Sequence, residues 1–411
     1  GISSIVLNVP VTHPAESIDG MILPGYLAPA SAISHPEDIG EHLSDKGIRW
    51  QIYADEETGS DSDKKLESYI ELIKSRAKTT EVLLSDFDWR FAFIQVQKTD
   101  AVFHNFAEEE AFRRVYKAMD EVVGAVLASV DDDDTVVLVS DHGIQRVTGQ
   151  TIYVNELLRE HGLLSTTQEP LETNFKSQLI DNQPETNDEK LDLASALVAL
   201  ASRFGLTPGR VLQVLRRLGV DETIRELAPD SFRAAANVRP DYSNSQAYCR
   251  LGSEMGIRLN LEGRDSGGVI PKSEYDVVRD QVIACLSDAE SSDGTPLFEF
   301  VDRYEVVTGY EPTGDAPDVV FLPEDMNHTV SHRMPGVTSL PVDAYDHAKK
   351  GVFIAKGPRI KNAPASINAV AVAPLALATL SIGMPTELAN RIPEGLLTAT
   401  PETIEKEVPY G

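Results

Sequence analysis

Short apolar runs separated by amphipathic segments set the rhythm of this chain. Ile5 to Val9 reads as a strand, followed by a Pro/Gly-rich loop from Pro10 to Pro36. Pro36 to Leu43 is predicted as a short helix. Ser60 to Ser62 supplies a cap for a long helix reaching about Ser85, with apolar residues at Leu66, Tyr69, Ile70, Leu72 and Ile73. Phe91 to Val96 reads as a second, buried strand and Glu108 to Leu127 as another helix. Asp131 to Asp134 is an acidic turn, and the apolar run Val136 to Val139 is a third buried strand. Strand, helix, strand in this order predicts parallel βαβ units, with the carboxyl ends of the second and third strands on one sheet edge.

The pattern changes from about Thr166 to Asp230. Polar residues dominate to Glu189, and Leu191 to Phe204 and Thr207 to Leu218 then read as two amphipathic helices. This predicts an α/β core over 1–165 and 236–411, interrupted by a helical insertion or cap over 166–235. Beyond it, Ser245 to Leu261 is strand-like and Asp276 to Leu286 reads as a helix. Val301 to Thr308, Asp318 to Leu322 and Gly351 to Ala355 read as strands, and Val370 to Leu380 as a closing helix.

Composition narrows the classes. With 411 residues, 42% of them hydrophobic, the chain can bury a sizeable core. No apolar run reaches about 18 residues, so no membrane span is predicted. Lys and Arg number 37 against 65 Asp and Glu, so the net charge is 37 − 65 = −28. Such a surface repels nucleic-acid polymers and anionic membranes, and a salt-adapted, halophilic source is the favoured explanation. The oligomeric state is not legible. Cys249 and Cys285 match no metal or redox spacing and are expected to be free thiols, which points to a reducing, cytoplasmic setting. The chain opens on Gly1 and enters a strand at once, which suggests a piece of something longer.

Candidate chemistry collects at three places. Asp100 and His104 are four residues apart just past a strand, on one face if the segment is helical. Asp141-His142 follows the third strand, where open α/β sheets bind ligands, and Asp346-His347 precedes the strand at Gly351. A loop aspartate beside a surface histidine is the alternative at each. His13, His35, His42 and His161 are expected at the surface, and His328 and His332 flank a loop. Carboxylate with imidazole suits zinc or manganese. Six such residues exceed the three or four that one metal takes from protein, and supply most of a two-metal site.

These residues also resemble a known family. Thr99-Asp100 with His104, Ser140-Asp141-His142-Gly143, and Asp346-His347 ahead of Gly357-Pro358 are similar to type I phosphodiesterases/nucleotide pyrophosphatases of the alkaline phosphatase superfamily. Asn8-Val9-Pro10 with Thr12 and Pro14, Asp241 to Tyr248, Arg258 to Arg264, and Ala316-Pro317-Asp318 fall in the order that family shows. The resemblance implies a large, mainly parallel sheet between helices, two divalent metals (commonly zinc, with manganese open), and a small-molecule phosphoester substrate. It implies Asp100, His104 and His347 as ligands of one metal and Asp141 and His142 as ligands of the other. Asp346 has no clear metal role in the family, and two expectations stand for it: that it orients the neighbouring imidazole, or that it has no part in the site. The Thr or Ser nucleophile and a further aspartate of the family are expected upstream of Gly1. Thr12 and Ser17 lie in the wrong element to replace them. Lys349, Lys350 and Lys356 are candidates for contacting phosphate, against the plainer reading of surface lysines. Two alternatives stay open: a hydrolase of phosphate monoesters, sulfate esters or phosphonates, and a non-catalytic fragment or pseudoenzyme that keeps the fold.

Overall fold

The structure, a computed structural model, describes residues 1–57, 61–167, 239–291, 294–362, 364 and 366–405. It is a mixed α/β arrangement with several sheets. Two compact units emerge, Gly1–Gln145 with Tyr345–Gly411, and Arg146–Ala344.

The first unit is built on a three-stranded parallel sheet. β1 (Ser4–Leu7) lies between β2 (Gly20–Leu23) and β3 (Phe91–Ile94), with Leu7 opposite Leu23 and Ile94. β2 falls inside the expected loop over 10–36, which is therefore not wholly a loop. Its apolar run is only Met21-Ile22-Leu23, and Gly20 hides its start. Gly20 is required there: φ is +122°, and a Cβ would lie 2.0 Å from the Ser4 carbonyl oxygen. α1 (Ile39–Asp45) follows. α2 (Ser62–Asp86) begins at Asp61, whose carboxylate accepts from the backbone N–H of Asp63 at 3.1 Å and Lys64 at 3.2 Å. One face of α2, with Leu66, Ile70, Ile73 and Ala77, packs on α4 (Glu109–Ala128) through Phe112, Val115 and Val122. Burial is worth about 1.5–3 kcal/mol for each large apolar side chain, so this seam anchors both helices. Between β3 and α4 runs α3 (Lys98–Asn105).

β4 (Val136–Val139) departs from the predicted parallel order. Among the described residues it shares no ladder with β3 and pairs antiparallel with Phe353–Lys356. The following β5 (Gly143–Val147) pairs with β6 (Ala344–Ala348). Neither shows in the sequence, because Gln145-Arg146 and Asp346-His347 interrupt their apolar runs. β3 and β4 are not buried as their apolar runs predict: Phe93 is 47% exposed and Val139 38%. All-apolar strands want cover on both faces, and the described elements leave that cover incomplete.

The second unit holds an antiparallel sheet in the order Phe298–Arg303, Val319–Pro323, Gly256–Leu259, Ala247–Tyr248. Its core includes Ile257, Leu259, Phe321 and, from the helix Tyr275–Ser287, Val282 and Leu286. The strand expected over Val301–Thr308 stops at Arg303, and Tyr304–Thr308 is a helical turn. Arg303 pairs with Val319, the first residue of the neighbouring strand. Beyond it there is no ladder to join, so the β-branched run Val306-Val307-Thr308 loses its reason to extend. Cys249 and Cys285 are free and buried, and burial pushes both thiols up to about 12. The expected insertion lies almost wholly outside the described residues. Its base is present: Thr166–Thr167 pairs antiparallel with Arg239–Pro240, which brings the two ends of the segment together. Among the described residues no helix is long and apolar enough to cross a membrane.

Candidate metal centre

The site lies in the first unit and grows out of two strand ends and the body of a third strand. β3 hands directly into α3, whose first turn carries Asp100 and whose last turn carries His104. The i, i+4 spacing sets both on one face, and Asp100 Oδ1 lies 3.2 Å from His104 Nε2. β4 ends at Val139, and the chain turns through Ser140, Asp141 and His142 before β5. Ser140 fixes that turn against the segment before Phe353. Its N–H donates to the Val352 carbonyl at 3.0 Å, and its hydroxyl accepts from Val352 N at 2.7 Å. Two glycines permit the approach: a Cβ on Gly351 would lie 2.2 Å from Ser140 Oγ, and one on Gly143 2.0 Å from the Lys350 carbonyl oxygen. β6, paired with β5, supplies Asp346 and His347.

Three imidazoles and two carboxylates meet there. His104 Nε2 and His347 Nε2 are 3.2 Å apart, and Asp100 Oδ1 is 3.6 Å from His347 Nε2. The rings of His142 and His347 have centroids 4.0 Å apart. Ligand atoms of Asp100, His142 and His347 lie within 4.8 Å of one another, and so do those of His104, Asp346 and His347. Asp346 Oδ1 accepts from the backbone N–H of His347 at 2.8 Å and stands 3.7 Å from its Nδ1.

The donor set fits a divalent cation on three counts. First, among the described residues no hydrogen-bond donor is aimed at the buried Asp100 Oδ1, although it is within ion-pair distance of two imidazoles. Second, bonds of about 2.0–2.1 Å to a tetrahedral centre set ligand atoms about 3.4 Å apart. The separations among Asp100, His104 and His347 are 3.2, 3.2 and 3.6 Å. Third, His142 Nδ1 donates to the Gly143 carbonyl at 3.0 Å, which leaves the Nε2 lone pair for a cation.

Electrostatics agree with that fit. Burial pushes the Asp100 carboxyl up, but the contact with His104 and the charges of His104, His347 and His142 outweigh it and hold the group below its usual value. Contact with Asp100 raises the His104 imidazole against burial, with the Asp100 and Asp346 charges adding. Two facing Nε2 lone pairs at 3.2 Å repel unless a proton or cation stands between them.

The cluster therefore gathers Asp100, His104, His142 and His347 from the sequence candidates. Asp141 stands apart: its side chain is 90% exposed, 3.7 Å from His142 Nε2, and accepts the His142 backbone N–H at 3.1 Å. Asp346, expected to orient an imidazole or to have no part, sits among the ligand atoms. Its place directly before His347 on a strand was the available signal. Thr12 donates its hydroxyl to the Val9 carbonyl at 2.7 Å. Lys349, Lys350 and Lys356 are exposed.

Comparison with known proteins gives one family match: the family model described as Type I phosphodiesterase / nucleotide pyrophosphatase matches residues 11–352, a span that includes every residue of the cluster. No curated protein matches the chain.

Proposed function

Since the chain belongs to the type I phosphodiesterase / nucleotide pyrophosphatase family of hydrolases, we propose that it hydrolyses phosphodiester or nucleotide pyrophosphate bonds of a small-molecule substrate at a two-metal site. The observation that carries this reading is the buried Oδ1 of Asp100 among three imidazoles, with no donor among the described residues. Asp100, His104 and His347 hold one cation, and His142 and Asp141 hold the other. For that, the exposed Asp141 carboxylate turns toward His142 Nε2, already 3.7 Å away. Zinc is the favoured metal and manganese the alternative, by the N/O donor set. When bound, the cations supply Lewis-acid polarisation and charge neutralisation at the phosphoryl oxygens.

The chain's own residues prepare the site. Asp346 accepts the His347 backbone N–H and stands 3.7 Å from its Nδ1, a position from which it can orient the ring. The Gly143 carbonyl fixes the His142 tautomer. The contact with Asp100 raises the His104 imidazole in the metal-free protein, so a cation competes with a proton for that nitrogen. We assign no nucleophile among the described hydroxyls. The wider fold is proposed to be alkaline-phosphatase-like, with the parallel β2-β1-β3 sheet as part of its larger sheet.

Elemental analysis joined to a hydrolysis assay tests the proposal. Two zinc ions per chain and turnover of a chromogenic phosphodiester are expected, both lost in His347→Ala. Undiminished hydrolysis in that variant overturns the site. Metal uptake without turnover of any ester, in a form of the protein that carries a Thr or Ser nucleophile, removes the enzyme reading and leaves a binding protein. A panel of phosphate monoesters, sulfate esters and phosphonates separates the related hydrolases.

A further inference from the structure

β6 meets the last turn of α3 at two points. Tyr345 and His347 are two residues apart on the strand, so they share a face. Phe103 and His104 are consecutive in α3. His347 faces His104, with their Nε2 atoms 3.2 Å apart. Tyr345 faces Phe103, with ring centroids 5.6 Å apart, and meets Phe112 of α4 edge-on at 4.9 Å. Phe103 and Phe112 are themselves 4.2 Å apart. Phe112 belongs to the buried seam between α2 and α4, and Tyr345 packs against that seam.

The two points differ in kind. The imidazole pair holds only while one proton or cation lies between the nitrogens; two bare nitrogens or two protonated rings repel. Strand pairing is no firm anchor either. β5 and β6 form a two-stranded sheet, and two strands alone are marginally stable in water. The aromatic contact depends on neither protonation nor metal, and tilted or edge-on ring pairs attract beyond the area they bury. It belongs to the ring: among the described residues the Tyr345 hydroxyl has no hydrogen-bond partner.

We propose that Tyr345 is a positioning residue for the metal centre: its ring, seated on Phe103 and Phe112, docks β6 on α3 before any cation arrives and so sets His347 at ligating distance from Asp100 and His104. This rests on the metal-site reading above and adds to it a residue that touches neither cation nor substrate. Ligands assembled in advance spare the cation the cost of bringing them together, so the anchor raises metal affinity without making a metal bond.

The full 411-residue protein tests this with and without metal. In the metal-free protein, Tyr345→Ala should speed amide hydrogen exchange over residues 344–348 by about 10-fold or more and leave α2 and α4 unchanged. A general loss of stability would move both. Zinc affinity by calorimetry should fall about 10- to 100-fold, the range for losing a group that orients a ligand. Tyr345→Phe, which keeps the ring, should restore both readings. Tyr345→Leu, which keeps apolar bulk without the ring, serves in place of Tyr345→Ala if that variant does not fold. Wild-type exchange over 344–348 in the ring-less variant, wild-type zinc affinity in it, or no rescue by Tyr345→Phe overturns the proposal. A wild-type protein that takes up no zinc overturns the metal reading and the proposal with it, and is told apart because the exchange result needs no metal.

Discussion

Two carboxylates mark the difference between the two units. Asp318, in the second unit, is fully buried and has every acceptor direction filled. Its Oδ1 accepts from Arg264 Nη1 at 2.6 Å and the Tyr275 hydroxyl at 2.6 Å. Its Oδ2 accepts from Leu259 N at 2.7 Å and Arg264 Nη2 at 2.9 Å. Burial, with Asp318 beside it, pushes the Tyr275 phenol up to about 12, so it remains a donor. Asp100, in the first unit, is only about two-thirds covered, yet its Oδ1 is buried with no donor among the described residues. A saturated carboxylate is a fixture that ties a strand, a loop and a helix together. An unsaturated one, ringed by imidazoles that would rather not be together, is a site for a cation.

The largest effect that can break this contrast is on stability. Asp318→Ala takes the shared acceptor from the partly buried Arg264, the Tyr275 hydroxyl and the buried Leu259 N–H, and should cost about 3–5 kcal/mol in urea unfolding. Zinc uptake by the folded fraction should not change. A loss below about 1 kcal/mol would mean that the saturated cluster is no fixture. Asp100→Asn should do the reverse. Zinc affinity by calorimetry should fall by more than about 100-fold, beyond the usual effect of losing an outer-shell partner. Metal-free stability should stay within about 0.5 kcal/mol. Asp346→Asn sharpens the picture inside the site. If Asp346 orients His347 rather than binding metal, zinc affinity should fall only about 10- to 100-fold. A loss as large as that of Asp100→Asn would make it a ligand.

The smallest effect is a pH dependence. His104 is raised by Asp100, so in the metal-free protein it binds a proton more tightly folded than unfolded. Its contribution to stability is complete below the ordinary value of 6.5 and is lost as pH rises through the folded value. Since the ring is about a third exposed, the change should be a fraction of a kcal/mol. Zinc affinity should run the other way, falling as pH drops through that same raised value, because a protonated imidazole is no ligand. Titrating the wild type against His104→Gln by calorimetry between pH 5 and 8, a range that spans the ordinary histidine value, checks both signs.

Much of the first unit was legible because its signals are local. α2 and α4 follow from apolar spacing over several turns, and β1 and β3 from short apolar runs. Asp100 and the Asp141-His142 pair stood out because each falls just past an apolar run, and Asp346-His347 because it precedes one. The hidden parts share one cause, which is that their stability comes from distant partners. β5 and β6 are each interrupted by two adjacent polar residues and exist by pairing with each other. Tyr304–Thr308 has strand-like side chains and no ladder to join. β4 looks like a buried strand, but its antiparallel partner lies more than two hundred residues away.

By itself, then, the sequence determined which residues carry chemistry, the main helices, the acidic charge and the family. Residue type, helical period and motif order are properties of the chain, so a linear reading reaches them. Only the tertiary structure decided which candidates meet. It gathered Asp100, His104, His142 and His347, drew in Asp346, left Asp141 in solvent, and set Tyr345 against Phe103. Those outcomes depend on separations of a few ångströms between residues far apart in the chain, and electrostatics and ligation are set by distance in space.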